Sequence, residues 1–303
     1  MKELRQQEHY HAIGPHARPV MTIGPGETVI VETLDNVGNR VRSEKDEHEI
    51  RSPLNPLSGP IFVKGAEKGD CLEIKIQDIE VLRGFGWTGQ TSQWGFIETS
   101  SPLWTAMPKA IPTLIKICAI ERNTVHFPLR NGKKIKLPLR PLIGTIGTAP
   151  EFEVPSATPG PHGGNMDCNE IRPGNRLFLP VFVKGALLYL GDVHALQGHG
   201  ELGGAPVEVS AKSKLTINLI KHRTIGWPRI ESSDHIMTVG SSKPLETAIR
   251  AALVEMISWL TTEYDMDMWD ANLLMTAAAE IECCAITNPL YTAALKLKKK
   301  YLP

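Results

Sequence analysis

The chain has 303 residues, and its 33 basic and 33 acidic side chains cancel, which argues against nucleic acid or a membrane surface as a partner because both favour a basic excess. Apolar residues make up 42% of the chain, enough for a substantial core, but no run approaches the about 20 residues that span a membrane, and no signal peptide is recognisable. The five cysteines are scattered without a CxxC pair, which favours reduced thiols in a cytoplasmic protein.

The first two thirds of the chain predict short strands separated by glycine and proline. These extended runs, rich in β-branched residues, are Thr28–Thr33, Pro60–Lys64, Cys71–Ile76, Ile79–Leu82, Thr113–Ile120, Leu177–Val183, Ala186–Leu190, Pro206–Ser210 and Lys214–Leu219. Many short strands in this arrangement favour a β-sandwich or barrel-like core over alternating βαβ units.

Two internal copies stand out within the predicted strands. Residues 60–66 (PIFVKGA) and 180–186 (PVFVKGA) differ at one position, and a Gly-Asp pair follows each copy at an unequal distance. We interpret the copies as two related β units that face each other in one core. Chance repetition of a strand–turn pattern is the alternative.

The pattern changes near residue 241. Apolar residues then line one face of a helix that begins at Leu245, and Ser241 or Ser242 is expected to cap its start. A second helix is predicted from about Asp267 to Ala285, with Pro289 beyond its end.

The predicted fold class is α+β and predominantly β, with a sandwich or barrel-like core of two related units and a C-terminal helical pair. We predict a single domain over residues 1–303. Its parts are an N-terminal β-rich half at 1–150, a central β half at 151–240 that carries the candidate metal site, and a C-terminal helical region at 241–303. The basic run Lys296–Lys300 is interpreted as a solvated surface or a helix terminus.

Metal-capable side chains cluster among glycines in two segments, 161–169 and 191–201. Asp192 and His194 stand two residues apart, so on an extended strand they point to the same face. Glu201 follows a glycine that lets the chain fold back towards the same centre. The second segment therefore predicts the beginning of a divalent-metal site.

The first segment adds further polar groups. A tight turn at Gly163-Gly164 can bring His162, Asn165 and Asp167 around one point. Imidazole with several carboxylates suits a divalent ion, and we expect Zn²⁺, with Ca²⁺, Mn²⁺ and Fe²⁺ as alternatives. Such an ion lowers the pKa of bound water to about 7, and a spare carboxylate can pass the water's proton to a leaving amine. Turn capping and local hydrogen bonding are the structural alternative.

The same residues carry a resemblance to a known family. Three central segments and one N-terminal segment resemble the signatures of the acetamidase/formamidase family: His162–Asp167 (HGGNMD), Leu179–Ala186 (LPVFVKGA), Gly191–Glu201 (GDVHALQGHGE) and Asn55–Ala66 (NPLSGPIFVKGA). Their order and spacing match over most of the chain. The resemblance implies a β-rich fold, a homo-oligomer (a dimer or larger), and hydrolysis of formamide, acetamide or similar small amide substrates to ammonia and the carboxylate.

Carried onto this chain, the resemblance points to His162, Asp167, Asp192, His194 and Glu201. We expect Asp192, His194 and at least one of His162 and Asp167 to hold the metal. Glu201 is a further candidate ligand and the candidate general base.

The developing oxyanion is expected to be stabilised by Asn165 or Asn55. The chain departs from the family pattern at two positions, since His199 and Lys184 stand where the family usually has an acidic residue.

Three alternatives stay open. They are a hydrolase of a cyclic amide, a formylated amine or a larger carboxamide on the same scaffold, a non-catalytic metal- or ligand-binding protein, and a purely structural β protein.

Overall fold

The computed structural model describes residues 2–5, 8–92, 94–97 and 111–303. The strands of these residues are, in chain order, β1 (Lys2–Leu4), β2 (Ala12–Ile13), β3 (Met21–Ile23), β4 (Glu27–Thr33), β5 (Leu57–Val63), β6 (Cys71–Val81), β7 (Phe85–Gln90), β8 (Leu114–Glu121), β9 (Thr124–Pro128), β10 (Lys134–Pro138), β11 (Leu142–Thr148), β12 (Val154–Pro155), β13 (Gly163–Asn165), β14 (Arg176–Pro180), β15 (Leu188–Leu196), β16 (Val207–Val209), β17 (Ala211–Ile220), β18 (Arg229–Glu231), β19 (His235–Ser242), β20 (Glu280–Ala285) and β21 (Tyr291–Lys298). The helices of the same residues are α1 (Leu245–Glu263), α2 (Met268–Ala278) and two short 3-10 helices at Glu47–Glu49 and Lys299–Tyr301.

Two large sheets form the body of the described chain. The first has nine strands in the order β1-β4-β17-β6-β14-β18-β19-β21-β20, and the second has ten, with β10-β9-β8-β7-β16-β15-β11-β13 as its main path and β5 and β3 attached beside β15. Buried apolar residues of both sheets, such as Ile74 on β6 and Leu190 on β15, share one core. The predicted β-rich sandwich-like core with a C-terminal helical pair is confirmed.

The two internal copies pair with each other reciprocally at the centre of this body. β5, which holds most of the first copy, pairs antiparallel with β15, which follows the second copy. β14, which ends at the start of the second copy, pairs antiparallel with β6, which follows the first. The turns also meet, because the Val63 N–H donates to the Gly185 carbonyl at 2.9 Å and the Gly185 N–H donates to the Ala66 carbonyl at 2.8 Å. The related units therefore face each other, as the repeat predicts.

Two predicted strand boundaries are wrong for reasons visible in the pairing. Cys71–Ile76 and Ile79–Leu82 form one continuous strand, β6, because β17 pairs along its whole length and absorbs the irregularity with a register shift. The run predicted as Leu177–Val183 ends at Pro180. Beyond it the Val181 N–H donates to the Asp70 carbonyl at 2.9 Å, so the chain turns towards the other copy.

Helix α1 packs its apolar stripe on β19 and β21. Ala252, Met256 and Leu260 are buried against strand residues of this sheet in a core of their own. Gly240 permits the close approach, because a Cβ there would lie 2.2 Å from the Ala248 carbonyl oxygen. No helix in the described part of the chain is long and apolar enough to cross a membrane.

The predicted serine cap of α1 is wrong. Ser241 and Ser242 belong to β19 and pair with β21, and Pro244 occupies the N-cap position without a side-chain cap. Proline suits a helix start because its missing N–H is one that the helix leaves unpaired and its φ is already near the helical value.

The predicted second helix is also too long. α2 begins at Met268 behind an Asp267 cap, but it ends at Ala278, and Glu280–Ala285 forms the edge strand β20. The basic run is divided: Lys296 lies within β21 between β19 and β20 and is largely buried, whereas Lys299 and Lys300 belong to the short 3-10 helix and Lys300 is exposed. At Glu280–Ala285, pairing with β21 overrides helix propensity, and the local apolar pattern gives no sign of that pairing.

A buried ion pair attaches α1 to the sheet. Arg229 on β18 is 2% exposed, and its Nε donates to Glu255 Oε1 of α1 at 2.6 Å. Its guanidinium also lies 4.9 Å from the centre of the Trp259 ring and donates to Glu263 at 3.0 Å. The Gly226 N–H donates to the second oxygen of Glu255 at 3.1 Å, so both charged groups are partnered.

We predict that Glu255→Ala lowers the free energy of unfolding by about 3 kcal/mol, because it leaves a buried guanidinium short of its main partner. Urea unfolding followed by circular dichroism measures the change. Arg250→Ala, at an exposed position of the same helix, is the matched control and should stay within about 0.5 kcal/mol of the unchanged protein. Equal effects of the two substitutions would contradict a specific role for the ion pair.

Candidate functional site

The candidate site lies where β15 crosses the second sheet between β11 and β16. Asp192 and His194 lie on β15, and Glu208 lies on the neighbouring strand β16. Asp167 lies just after β13, the edge strand beside β11. Glu201 lies in the connection between β15 and β16. The charged groups of the site thus come from β15 and β16, from the connection between these two strands, and from the residues just after β13.

The imidazole of His194 is surrounded by carboxylates. Its Nε2 lies 3.4 Å from Asp192 Oδ1, 3.6 Å from Glu208 Oε1 and 3.9 Å from Asp167 Oδ1. One ligand atom from each of Asp167, Asp192 and His194 falls within 4.8 Å of the others. All four side chains are at least 94% buried.

Gln197 fixes which nitrogen of His194 faces the carboxylates. The amide group of Gln197 donates to the carbonyls of Asp167 at 2.6 Å and Cys284 at 3.2 Å, which leaves its oxygen as an acceptor. That oxygen lies 2.9 Å from His194 Nδ1, so Nδ1 carries the proton. Neutral His194 therefore presents the lone pair of Nε2 to the carboxylate group, the form required of a metal ligand.

Four polar residues of the site have a left-handed backbone. The φ angles are +55° at Asn55, +44° at Asp167, +55° at Asp192 and +50° at Glu201. Asn and Asp adopt this conformation more readily than other residues, but for Glu201 it is unfavourable. A concentration of such backbone angles in one place is typical of functional sites, where the surrounding structure holds side chains in required directions.

The burial of several carboxylates together shifts their protonation. Burial first and the neighbouring Asp192 second raise the pKa of Asp167. Burial, with Asp167 as the next cause, raises the pKa of Glu201 well above its ordinary value, and burial with Asp192 does the same for Glu208. Burial lowers the pKa of His194, but Asp192 and the other partners outweigh that effect and the net pKa is raised.

The donor set fits a divalent cation. Five polar atoms of the site are buried without a hydrogen-bond partner. They are Asp167 Oδ1, Asp192 Oδ1, His194 Nε2 and one carboxylate oxygen each of Glu201 and Glu208. Buried oxygens without hydrogen bonds destabilise the folded chain, and so does the repulsion between neighbouring carboxylates. A bound cation would remove both effects. One imidazole with two carboxylates is a donor set typical of Zn²⁺ and related ions.

A small cavity opens beside this group. Its volume is about 170 Å³. Asn55, Asn165, Asp192, Glu201 and Glu208 contribute polar groups to its wall. The cavity wall also includes Trp94 and Asn288, and Asn288 donates to Asp167 Oδ2 at 2.6 Å.

Hydrogen bonds set the orientation of both cavity amides. The Nδ2 group of Asn55 donates to Thr145 Oγ1 at 3.0 Å and to the Ser156 carbonyl at 3.2 Å, while its Oδ1 is buried without a partner. The Oδ1 of Asn165 accepts from Thr145 and from Asn55, so Nδ2 is the group that Asn165 has left to donate. The cavity therefore offers an amide acceptor from one residue and an amide donor from the other.

Two predicted histidines lie apart from this group. His162 is buried on the far side of Gly164, and burial alone lowers its pKa to about 4, with no contribution from the site carboxylates. His199 is 63% exposed, and its Nδ1 lies 3.0 Å from Glu282 Oε1. Of the predicted residues, the structure thus brings together Asp167, Asp192 and His194, with Glu201 hydrogen-bonded to Asp167.

The sequence prediction missed Glu208, Gln197 and Asn288. Glu208 gives no signal of its own, because Val-Glu-Val is the ordinary alternation of a strand with one polar face, and only the structure shows that this face is buried. Gln197 and Asn288 give no sequence signal either. Each acts through a contact with a residue distant in sequence, 87 positions away for the Gln197 bond to Cys284 and 121 for the Asn288 bond to Asp167.

Comparisons with known proteins identify the family and the fold. The sequence model of the Acetamidase/Formamidase family matches residues 1–160 and 154–287. The chain is similar to the crystal structure of an acetamidase from Yersinia enterocolitica, with 36% identity, 98% of this chain and 91% of that chain covered, and a TM-score of 0.91. An acetamidase from Bacillus halodurans is 33% identical, with 99% and 98% covered and a TM-score of 0.90.

A formamidase from Methylophilus methylotrophus is 26% identical, with 68% of this chain and 63% of the formamidase covered. The chain spans between 61% and 64% of the length of this relative and two others found by sequence.

Gly144 on β11 supplies a test of the metal group. A Cβ at this position would lie 2.5 Å from Asp167 Oδ1, 2.6 Å from the Asp192 carbonyl oxygen and 2.8 Å from His194 Cε1. We predict that Gly144→Ala forces these groups apart at a cost of about 1–3 kcal/mol and so weakens Zn²⁺ binding roughly 5- to 150-fold. Isothermal titration calorimetry measures the affinity. Gly84→Ala, where an added Cβ meets nothing within 4 Å, is the control, and equal affinities in both variants would contradict the assignment.

The raised carboxyl pKa values predict a pH dependence of stability in chelator-treated protein. The pKa of Glu208 lies well above its ordinary 4.5, so the folded chain keeps a proton that the unfolded chain releases. Its contribution to stability is therefore present at low pH and is lost as pH rises above about 4.5. Urea unfolding of the unchanged protein and of Glu208→Gln, over about pH 5 to 8, should give a stability difference that shifts in favour of the variant as pH rises. A pH-independent difference would contradict the shift.

Proposed function

The chain belongs to the acetamidase/formamidase family, and from this membership and the geometry of the site we propose that it hydrolyses short linear carboxamides, such as formamide and acetamide, to ammonia and the carboxylate. The observation that carries the proposal is the small polar cavity beside the carboxylate group. A volume of about 170 Å³ is well below the roughly 300–1,000 Å³ of pockets for larger organic ligands. It suits an amide with a short side chain.

We include a divalent ion in the proposal, with Zn²⁺ as the expected ion. Asp167, Asp192 and His194 would hold it, since their unpartnered ligand atoms converge. When bound, such an ion activates water as a nucleophile and polarises a carbonyl oxygen. Gln197 supports this role by keeping the proton of His194 on Nδ1, away from the converging carboxylates.

The two asparagines fit the two ends of a primary amide. Asn165 can donate from Nδ2 to the substrate carbonyl oxygen, where negative charge develops as the carbonyl is attacked. Asn55 presents the buried acceptor Oδ1, which matches the substrate's own NH₂ group. We therefore assign stabilisation of the oxyanion to Asn165. Asn55, which the sequence offered as an alternative for that role, is assigned to binding the amino group of the substrate.

Glu201 is suited to proton transfer within this cavity. Burial and the neighbouring Asp167 raise the pKa of Glu201 well above its ordinary value, so this carboxyl group holds a proton more strongly than an exposed one. It can accept the proton released when water attacks and return it to the leaving amino group, so that ammonia departs as a neutral molecule. Glu208, with its raised pKa and its position at the same cavity, keeps a second proton within reach.

The direct test is ammonia release from formamide, acetamide, propionamide and benzamide before chelation, after chelation, and after Zn²⁺ is restored. We predict that the two shortest amides are turned over fastest, that turnover is lost with the chelator, and that it recovers with Zn²⁺. Absence of turnover with all four amides under Zn²⁺, Ca²⁺, Mn²⁺ and Fe²⁺ would refute the proposal.

Variants distinguish the assigned roles within the same assay. Glu201→Gln should lower kcat/KM by about 10²–10⁴, the range of general acid–base contributions. Asn165→Ala should lower kcat by about 10²–10³, as for loss of an oxyanion donor. Asn218→Ala removes an amide on β17 that bonds Glu73 away from the site, and it should leave both parameters unchanged.

A further inference from the structure

A second group of metal-capable side chains lies behind the candidate site. The Sγ atoms of Cys168 and Cys284 and a carboxylate oxygen of Glu282 all fall within 4.8 Å of one another. Both cysteines are fully buried, and Glu282 is 92% buried. The Cys284 thiol donates to the Glu282 carbonyl oxygen, with its Sγ 4.0 Å away. None of the three side chains has a role in the proposed amide hydrolysis.

Neighbouring residues hold the Glu282 side chain in place. Lys296 donates from Nζ to Glu282 Oε2 at 3.1 Å and to Glu170 at 2.7 Å. The other oxygen, Oε1, is buried and makes no hydrogen bond, although His199 Nδ1 lies 3.0 Å away. A buried carboxylate oxygen without a hydrogen bond lies next to two thiols, and a bound cation would supply the partner that this oxygen lacks.

We propose that Cys168, Cys284 and Glu282 form a second Zn²⁺ site, separate from the Asp167, Asp192 and His194 group. Two thiolates with one carboxylate are a donor set typical of Zn²⁺, whereas Ca²⁺ and Mg²⁺ prefer oxygen ligands alone. Zn–S bonds of about 2.3 Å place tetrahedral sulfur ligands roughly 3.8 Å apart, and the three ligand atoms already lie within 4.8 Å of one another.

The charges and protons of the binding step balance. Each S–H bond breaks as an S–Zn bond forms, and the two protons pass to solvent. Two thiolates, Glu282 and Glu170 supply four negative charges, against two positive charges from Zn²⁺, one from Lys296 and one from Arg172, which lies 2.9 Å from Glu170. The buried group is then neutral as a whole, which a buried ion site requires.

A cleft gives the ion a path to this group. The cleft has a volume of about 620 Å³, and Asn169, His199, Glu282 and Cys283 contribute to its wall. Cys283 is only half-buried and lies outside the ligand group. The cleft reaches the group from the Glu282 side, so in the proposed site water would complete the coordination from there. His199 would act as an outer partner that orients the Glu282 carboxylate.

The site would connect three segments that position the amide-hydrolysing group. Cys168 directly follows Asp167. The carbonyl of Cys284 accepts from Gln197, which orients His194, and from the N–H of Gly200, the residue before Glu201. An ion bound by the two cysteines would therefore fix the backbone on which Asp167, His194 and Glu201 depend.

Cobalt substitution tests this site independently of turnover. Reduced, chelator-treated protein is titrated with Co²⁺ while absorbance is recorded, because thiolate-to-Co²⁺ charge transfer gives a near-ultraviolet band that oxygen and nitrogen ligands do not produce. We expect the band in the unchanged protein, its loss in Cys168→Ser and in Cys284→Ser, and its displacement by Zn²⁺. Absence of the band in the unchanged protein, or its persistence in both serine variants, would overturn the proposal.

Matched variants separate this site from the other group and from misfolding. Cys283→Ser should keep the band, and Asp192→Asn should keep it too while the number of Zn²⁺ ions bound per chain falls from two to one. His199→Asn should weaken Co²⁺ binding about 10- to 100-fold, as loss of an outer partner does. Loss of the band in Cys283→Ser or Asp192→Asn, with thermal unfolding unchanged, would show that the thiols at 168 and 284 are not the ligands.

Discussion

The constraint on which the site depends is the burial of several carboxylates around one imidazole. Asp167, Asp192 and Glu208 all approach the same nitrogen of His194, at distances where like charges repel and water cannot screen them. Such an arrangement is unfavourable by itself, because each buried charge needs a partner. It becomes reasonable when protons or a divalent cation are counted as part of the site, and both would serve the proposed amide hydrolysis.

The fold provides the rigidity that this arrangement requires. The site lies inside the second sheet rather than on mobile loops, with Asp192 and His194 on β15 and Gly144 on β11 opening the space between them. The reciprocal pairing of the two internal copies places β15 between β11 and β5, so its backbone is held on both edges. Left-handed backbone angles at Asp167, Asp192 and Glu201 can persist because the neighbouring strands determine them.

Regular patterns in the sequence were sufficient for most elements. Alternating β-branched runs predicted strands, and the apolar stripe from Leu245 predicted α1. The prediction failed at Glu280–Ala285, where an apolar, helix-compatible stretch becomes an edge strand because β21 offers it unpaired backbone groups. For the site, Asp-x-His on β15 and the glycine-flanked acids were sufficient to select Asp167, Asp192, His194 and Glu201. His162 lies in a different environment, where its ring packs against Gly164 and no site carboxylate affects its pKa.

The sequence by itself determined the family, the β-rich fold class and most members of the charged group, because those follow from motifs and from local periodicity. Only the tertiary structure decided how these side chains work together. The orientation of Gln197 fixes the proton on His194, and Thr145 fixes the orientation of Asn165, through contacts between residues distant in the chain. The pairing of Cys168 with Cys284 beside Glu282 has the same origin. Local sequence does not encode such distances, because sheet register and packing bring these segments together.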